Sequence, residues 1–313
     1  MKAYHLPRRP VLLLLLLTLT LCVPAWTAAQ QIPSPEQFFG HQMGADRQLA
    51  RWDKLVEYYD MIGERSDRVQ VVHMGPSTLG NPFLSIFVSS PENLANLDEI
   101  KRMNAILQDP RGHSEAEVDN AIENSKVVFV QSYGLHSTEV AASQSPAAIM
   151  YDFATRNDDG INEILDNTVS ILIPAFNPDG NIIVTDWYNR WVGTEYEGSG
   201  PPELYHHFIG HDNNRDAFMQ ATIESWYGAE ILFREWVPQA YIDHHQMGPY
   251  TARIYLPPYA EPIRPGGDPL VWREMTWYGA HMAYKMDEAE LDGAEGRGVG
   301  TVAGEVGLVA TVA

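Results

Sequence analysis

A chain of 313 residues, 45% hydrophobic and 11% aromatic, carries enough apolar material for one large buried core, which argues for a single large α/β domain over a string of modules. Its formal charge of -20 excludes nucleic acid as a partner, because phosphates would be repelled. One cysteine, Cys22, leaves no partner for an internal disulfide.

The basic opening from Met1 to Pro10, the apolar run from Val11 to Leu21 and the small-residue exit before Gln30 read as a secretory signal peptide over residues 1–29. A secreted or periplasmic protein is the expectation. The apolar run is about half of the ~20 residues that a membrane span needs, so no stable anchor is expected after cleavage. Cys22 falls inside this segment behind Leu21, where lipid attachment would ask for a small residue. The mature chain then has no thiol, and any metal must be held by His, Asp and Glu.

Gln48 to Ile62 has apolar residues at helical spacing, followed by a strand-like Val69 to Val72. Thr78 to Pro82 reads as a turn into a second strand, Phe83 to Val88, making a hairpin. Leu94 to Leu107 reads as a further helix.

Three later segments share one form, a short apolar run ending in a polar cluster. Lys126 to Val130 leads to His136, Val169 to Pro174 leads to Asn177-Pro178-Asp179-Gly180, and Gln239 to Ile242 leads to Asp243-His244-His245. Strands without polar alternation are expected where helices cover both faces of a sheet. In such sheets ligands collect beyond the strand ends, so the polar clusters are expected to converge. The fold class is therefore α/β, a mixed and mostly parallel twisted β-sheet with helices on both faces.

His136 and Glu139 are three residues apart, a spacing that the first turn of a helix would place on one side. A remote histidine could complete a site of two His and one Glu with a fourth position for water, the catalytic form of a zinc site. Adjacent strand residues point to opposite faces, so only one of His244 and His245 can face such a metal. His245 shares a face with Asp243 and is preferred; a twisted strand end would present His244 instead. The Asn177 to Gly180 run reads as a tight turn shaping the cleft.

His136-x-x-Glu139, Asn177-Pro178-Asp179-Gly180, Asp212-Asn213-Asn214-Arg215 and Asp243-x-His245, in that order, resemble the motif series of the zinc carboxypeptidases related to carboxypeptidase A. The resemblance spans about Gln48 to Met247. It implies one Zn2+ held by His136, Glu139 and His245, with Asp212 orienting the first of these histidines. It implies that Asn214 and Arg215 grip the terminal carboxylate of a peptide or protein, although the pair alone would also suit a cap and a surface ion pair. Arg190, between two tryptophans, would take the oxyanion-stabilising role, or else stack on tryptophan at the surface. The implied function is a zinc-dependent metallocarboxypeptidase hydrolysing C-terminal peptide bonds. The alternatives are an amidase or deacylase acting on cell-wall peptides or acyl amino acids, and a catalytically impaired peptide-binding homologue.

Past Gly293 the aromatic-rich character gives way to a Gly/Ala/Val sequence that does not fit the pattern. Residues 30–296 are thus expected to form an incomplete catalytic domain, and residues 297–313 an aberrant or disordered tail left by a frameshift or premature stop. Glu305, after a short β-branched run, is the default choice for the general base. Oligomeric state is not legible in the sequence.

Overall fold

Polar caps and apolar spacing set the helices of this chain, and continuous β-branched runs set its strands. The computed structural model describes residues 31–209, 212–246 and 268–288, and the backbone of 308–312. The expected signal peptide, and residues 297–307 of the expected tail, lie outside them.

Helix α1 (Pro35–Phe39) is closed by a capping box between Ser34 and Gln37, and α2 (Trp52–Arg65) buries Trp52, Leu55, Tyr58, Tyr59 and Ile62. Those positions recur every three or four residues, and burying each such side chain stabilises the fold by about 1.5–3 kcal/mol. Strands β1 (Val69–Pro76) and β2 (Pro82–Val88) form the expected hairpin. The helix expected over Leu94–Leu107 is two, α3 (Pro91–Ala95) and α4 (Leu97–Gln108), because Ser90 caps a first helix that begins at Pro91. Next come α5 (Glu115–Asn124), β3 (Val127–Tyr133), α6 (Val140–Thr155), α7 (Asp159–Asn167), β4 (Thr168–Ile173) and α8 (Pro178–Trp191). A 3-10 turn over Asn213–Asp216, α9 (Ile223–Ala229), a π turn over Glu230–Glu235, β5 (Ala240–Gln246), α10 (Pro269–Glu288) and β6 (Leu308–Val312) complete the described elements.

The strands form one sheet in the order β1-β2-β4-β3-β5-β6. Its centre is parallel, with β3 between β4 and β5; the outer pairings are antiparallel. Alternation along β2 splits the core between the two faces. Leu84, Ile86 and Val88 pack with α2 and α6, whereas Phe83 and Phe87 pack with α4 and the Ile231–Trp236 segment. Both faces are covered, which is why the strands read as unbroken apolar runs. Leu308–Val312, within the expected tail, pairs antiparallel with β5, consistent with its β-branched composition.

The parallel centre positions the site. The segments following β3 and β4 and the last residues of β5 all emerge at one edge of adjacent strands, with Tyr133 in register with His244. No helix among the described residues is long and apolar enough to cross a membrane.

Candidate metal centre

Beyond β3 the chain turns sharply at Gly134, whose φ of +61° is left-handed and whose added Cβ would lie 3.0 Å from the Ser143 side chain. This turn delivers His136 and Glu139. They are not on a helical turn, as their spacing suggested: Glu139 is the residue before α6, and its N–H donates to the His136 carbonyl at 2.9 Å. A tight turn brings residues three apart together as well as a helix would, and the sequence spacing cannot distinguish the two.

Asn177-Pro178-Asp179-Gly180 is also not a free turn but the start of α8. The Asn177 side chain accepts from the Gly180 N–H at 2.9 Å, with Pro178 in the first helical turn. Asp179, 2% exposed, accepts from Ser77 Oγ, the Leu79 N–H (2.8 Å) and Asn81 Nδ2 (2.7 Å), tying the β1–β2 turn to the site's base.

Glu139 presents one carboxylate oxygen to each of two imidazoles. Oε1 lies 2.8 Å from His136 Nδ1, and Oε2 lies 3.0 Å from His245 Nδ1. The Gln246 backbone N–H donates to the same Oε2 at 3.0 Å, and the Gln246 side chain accepts from the Ala141 N–H at 3.1 Å. The far nitrogen of each ring meets its own aspartate: His136 Nε2 meets Asp212 Oδ1 at 2.8 Å, and His245 Nε2 meets Asp243 Oδ2 at 2.9 Å. Each ring is thus held through both nitrogens; when Nδ1 gives up its proton to a metal, the aspartate keeps the proton on Nε2 and so fixes the tautomer that can act as a ligand.

His244 lies on the other face of β5. It stacks on Tyr133 with ring centroids 4.2 Å apart and places Nε2 3.2 Å from Gln131 Oε1. Burial pushes it down to about 4, so it is neutral at ordinary pH. Face alternation thus selects His245 for the cluster.

The charge balance suits a cation. Burial opposes ionisation of Glu139, but hydrogen bonds from His136 and His245 outweigh it and hold the carboxyl down at about 2. Burial lowers His245, yet its bonds to Asp243 and Glu139 bring it up to about 10; His136 is likewise raised by Glu139 and Asp212 against the effect of burial. Three carboxylates, Glu139, Asp212 and Asp243, surround the two rings, so with Arg215 beside Asp212 the cluster is negative once the ring protons have left. His136, Glu139 and His245 offer ligand atoms within 4.8 Å of one another. The Nδ1–carboxylate separations of 2.8 and 3.0 Å approach the roughly 3.4 Å expected between neighbouring ligands of a tetrahedral zinc with bonds near 2.1 Å. The residues therefore fit the ion.

Asp212 is held by the Asn214 N–H at 3.0 Å and by Arg215 Nη2 at 2.8 Å, and Asn214 Nδ2 lies 3.4 Å from His245 Nε2. Arg215 keeps 65% of its side chain exposed. Both border a cavity of about 990 Å3 whose wall includes His136, His245, Phe176, Phe218, Leu232 and Tyr241. Arg190 is not brought here. It is exposed on the last turn of α8, about 20 Å of helix from the Asn177 end, and does not line that cavity. Glu305 lies outside the described residues.

Sequence reasoning placed Asp243 on the face of His245 without giving it a role; D-x-H at a strand end was the available signal. Gln246 carried no signal, since its contact with Glu139 comes from the backbone.

A pair of Asp-His couples converging on one glutamate, at the edge of a parallel sheet centre, defines a candidate one-metal hydrolytic site. The chain belongs to the zinc carboxypeptidase family, whose model matches residues 55–235. No curated protein sequence matches it. Among solved structures it is similar to carboxypeptidase A from Helicoverpa armigera, at 15% identity and TM-score 0.47, covering 81% of this chain and 60% of that one. It is also similar to thrombin activatable fibrinolysis inhibitor, at 15% identity and TM-score 0.45, covering 80% and 63% respectively. A metallo-carboxypeptidase from Pseudomonas aeruginosa matches at 17% identity and TM-score 0.37, covering 61% of this chain and 39% of that one. The chain thus spans about 60% of the length of the first of these.

Proposed function

We propose that this chain is a zinc-dependent metallocarboxypeptidase that hydrolyses the C-terminal bond of peptides. The observation that carries the reading is the bridging of His136 Nδ1 and His245 Nδ1 by the two oxygens of Glu139. Zinc held by these three residues would supply an acidified water and a polarised carbonyl.

The remaining work falls to the chain itself. Asp212 and Asp243 keep a proton on Nε2 of each ring, so that both Nδ1 lone pairs point at one locus. Asn214 and Arg215, on the cavity wall, would receive the substrate's terminal carboxylate, for which a guanidinium is well shaped. Glu305 remains the proposed proton acceptor. Residues 1–29 support export of the protein.

The test is to supply zinc and compare one peptide with a free C-terminus against its C-terminal amide, reading products by mass spectrometry. Loss of a single residue from the free acid only, abolished by Glu305→Gln, is the expected result. Equal cleavage of amidated and N-acylated substrates would replace the reading with an amidase or deacylase. Peptide binding without turnover would make the chain an impaired homologue.

A further inference from the structure

Behind His245 runs a hydrogen-bond chain that the reaction itself does not require. Asp243 Oδ2 meets His245 Nε2 at 2.9 Å, Asp243 Oδ1 accepts from Ser132 Oγ at 2.7 Å, and Ser132 Oγ lies 2.7 Å from the Tyr241 hydroxyl. Ser132 is fully buried and Asp243 is 8% exposed.

The direction of this chain follows from donor counting. An ionised carboxylate only accepts, so Ser132 must spend its one proton on Asp243. The Tyr241 hydroxyl must then be the donor to Ser132. Read in order, Tyr241 donates to Ser132, Ser132 donates to Asp243, and Asp243 accepts from His245 Nε2, leaving Nδ1 for a ligand.

We propose that Ser132 and Tyr241 are positioning residues of the metal centre, acting through Asp243 to hold the His245 ring. The inference rests on the reading of His136, Glu139 and His245 as a zinc site. The two halves of that site are held differently. Asp212 takes its support from a backbone N–H and from the exposed Arg215, whereas Asp243 is held by the buried Ser132 hydroxyl, itself backed by the Tyr241 hydroxyl. Strand geometry sets the latter arrangement: Ser132 and Asp243 are register partners on β3 and β5, and Tyr241 lies two residues before Asp243 on the same face. Hydrogen bonds of this kind polarise one another in series, so removing a far member weakens the near one.

Chelator competition on the full chain measures the zinc dissociation constant, and the visible spectrum of the cobalt-substituted protein reports ligand geometry. Ser132→Ala should weaken zinc by about 10-fold, the lower end of the range for groups that support metal-binding residues from outside the ligand set, and shift the cobalt bands. Tyr241→Phe, which keeps the ring and its packing, should weaken zinc by a smaller factor of about 3 to 10. Ser132→Thr, which retains the hydroxyl, should restore most of the affinity.

Because Tyr241 acts only through Ser132, the double variant should be no worse than Ser132→Ala alone. Unchanged zinc affinity and cobalt spectrum in Tyr241→Phe, or effects that multiply in the double variant, would overturn the proposal while leaving the zinc site standing. Failure of the unaltered protein to bind zinc would overturn both. Should Ser132→Ala fail to fold, Tyr241→Phe decides the matter alone.

Discussion

Asp243 and His245 lie two residues apart on β5, and their side chains meet on one face of the strand, Oδ2 to Nε2 at 2.9 Å. A strand repeats its direction every second residue, so this contact needs no loop and no long-range packing to set the pair. It gives the second imidazole an aspartate of its own, matching the Asp212 contact of the first.

Removing either ligand histidine should abolish stoichiometric zinc. His136→Ala and His245→Ala are each expected to lose bound metal after dialysis, as read by atomic absorption, whereas His244→Ala should retain it. Asp212→Asn keeps the ring but not its anionic partner, and should weaken zinc by about 10- to 100-fold. Retention of full affinity by His245→Ala would remove the site.

The metal-free and zinc-loaded forms should respond to pH in opposite senses. His245 rises from 6.5 to about 10 in the folded chain, so its stabilising contribution is complete below about 6.5 and is lost as pH climbs toward 10. Zinc requires the unprotonated ring, so its uptake releases protons and its affinity grows across that same range. Calorimetry in buffers of different ionisation heat counts the protons; a zinc affinity flat from pH 6.5 to 8.5 would contradict the assignment.

At low pH the carboxyl at the centre of the site governs. Glu139 is depressed from 4.5 to about 2, so its contribution is present above about pH 4.5 and is lost as pH falls toward 2. Glu139→Gln should flatten the acid limb of a stability-against-pH curve measured by denaturant unfolding.

Asp179 anchors the β1–β2 turn, and its replacement leaves three donors without their acceptor. Asp179→Ala is expected to cost about 3 kcal/mol in urea unfolding, since unsatisfied buried donors cost about 1–3 kcal/mol each and some will find water.

At Gly180 an added methyl would sit 2.0 Å from Ser137 Oγ and 2.6 Å from the Tyr205 carbonyl. Gly180→Ala should destabilise by about 1–3 kcal/mol, as overpacking does, and should also weaken zinc because Ser137 adjoins His136. Loss of stability with unchanged zinc affinity would show the two segments to be uncoupled.

Much of this architecture was legible before any coordinates. Unbroken apolar strands implied a sheet covered on both faces, and polar clusters after them implied a shared edge; β3, β4 and β5 meet that description. Periodicity could not show that the helix near Leu94 is two, because Asn96, the residue between them, fits the polar face of either reading. Nor could it show that the His136-to-Glu139 spacing is a turn. Arg190 was proposed from its place in a motif order, and motif order carries no direction: α8 carries it away from the cleft. Ser132 and Tyr241 were silent because hydroxyls in apolar strands acquire meaning only once register is known.

The donors of the candidate centre are 106 residues apart between Glu139 and His245. Any ion that joins them closes a loop of that length, and the entropy of such closure must be met by β5 docking beside β3 before the ion can gain its full coordination. Zinc uptake would then act as a reporter of completed assembly, silent in any intermediate whose last central strand has not yet arrived.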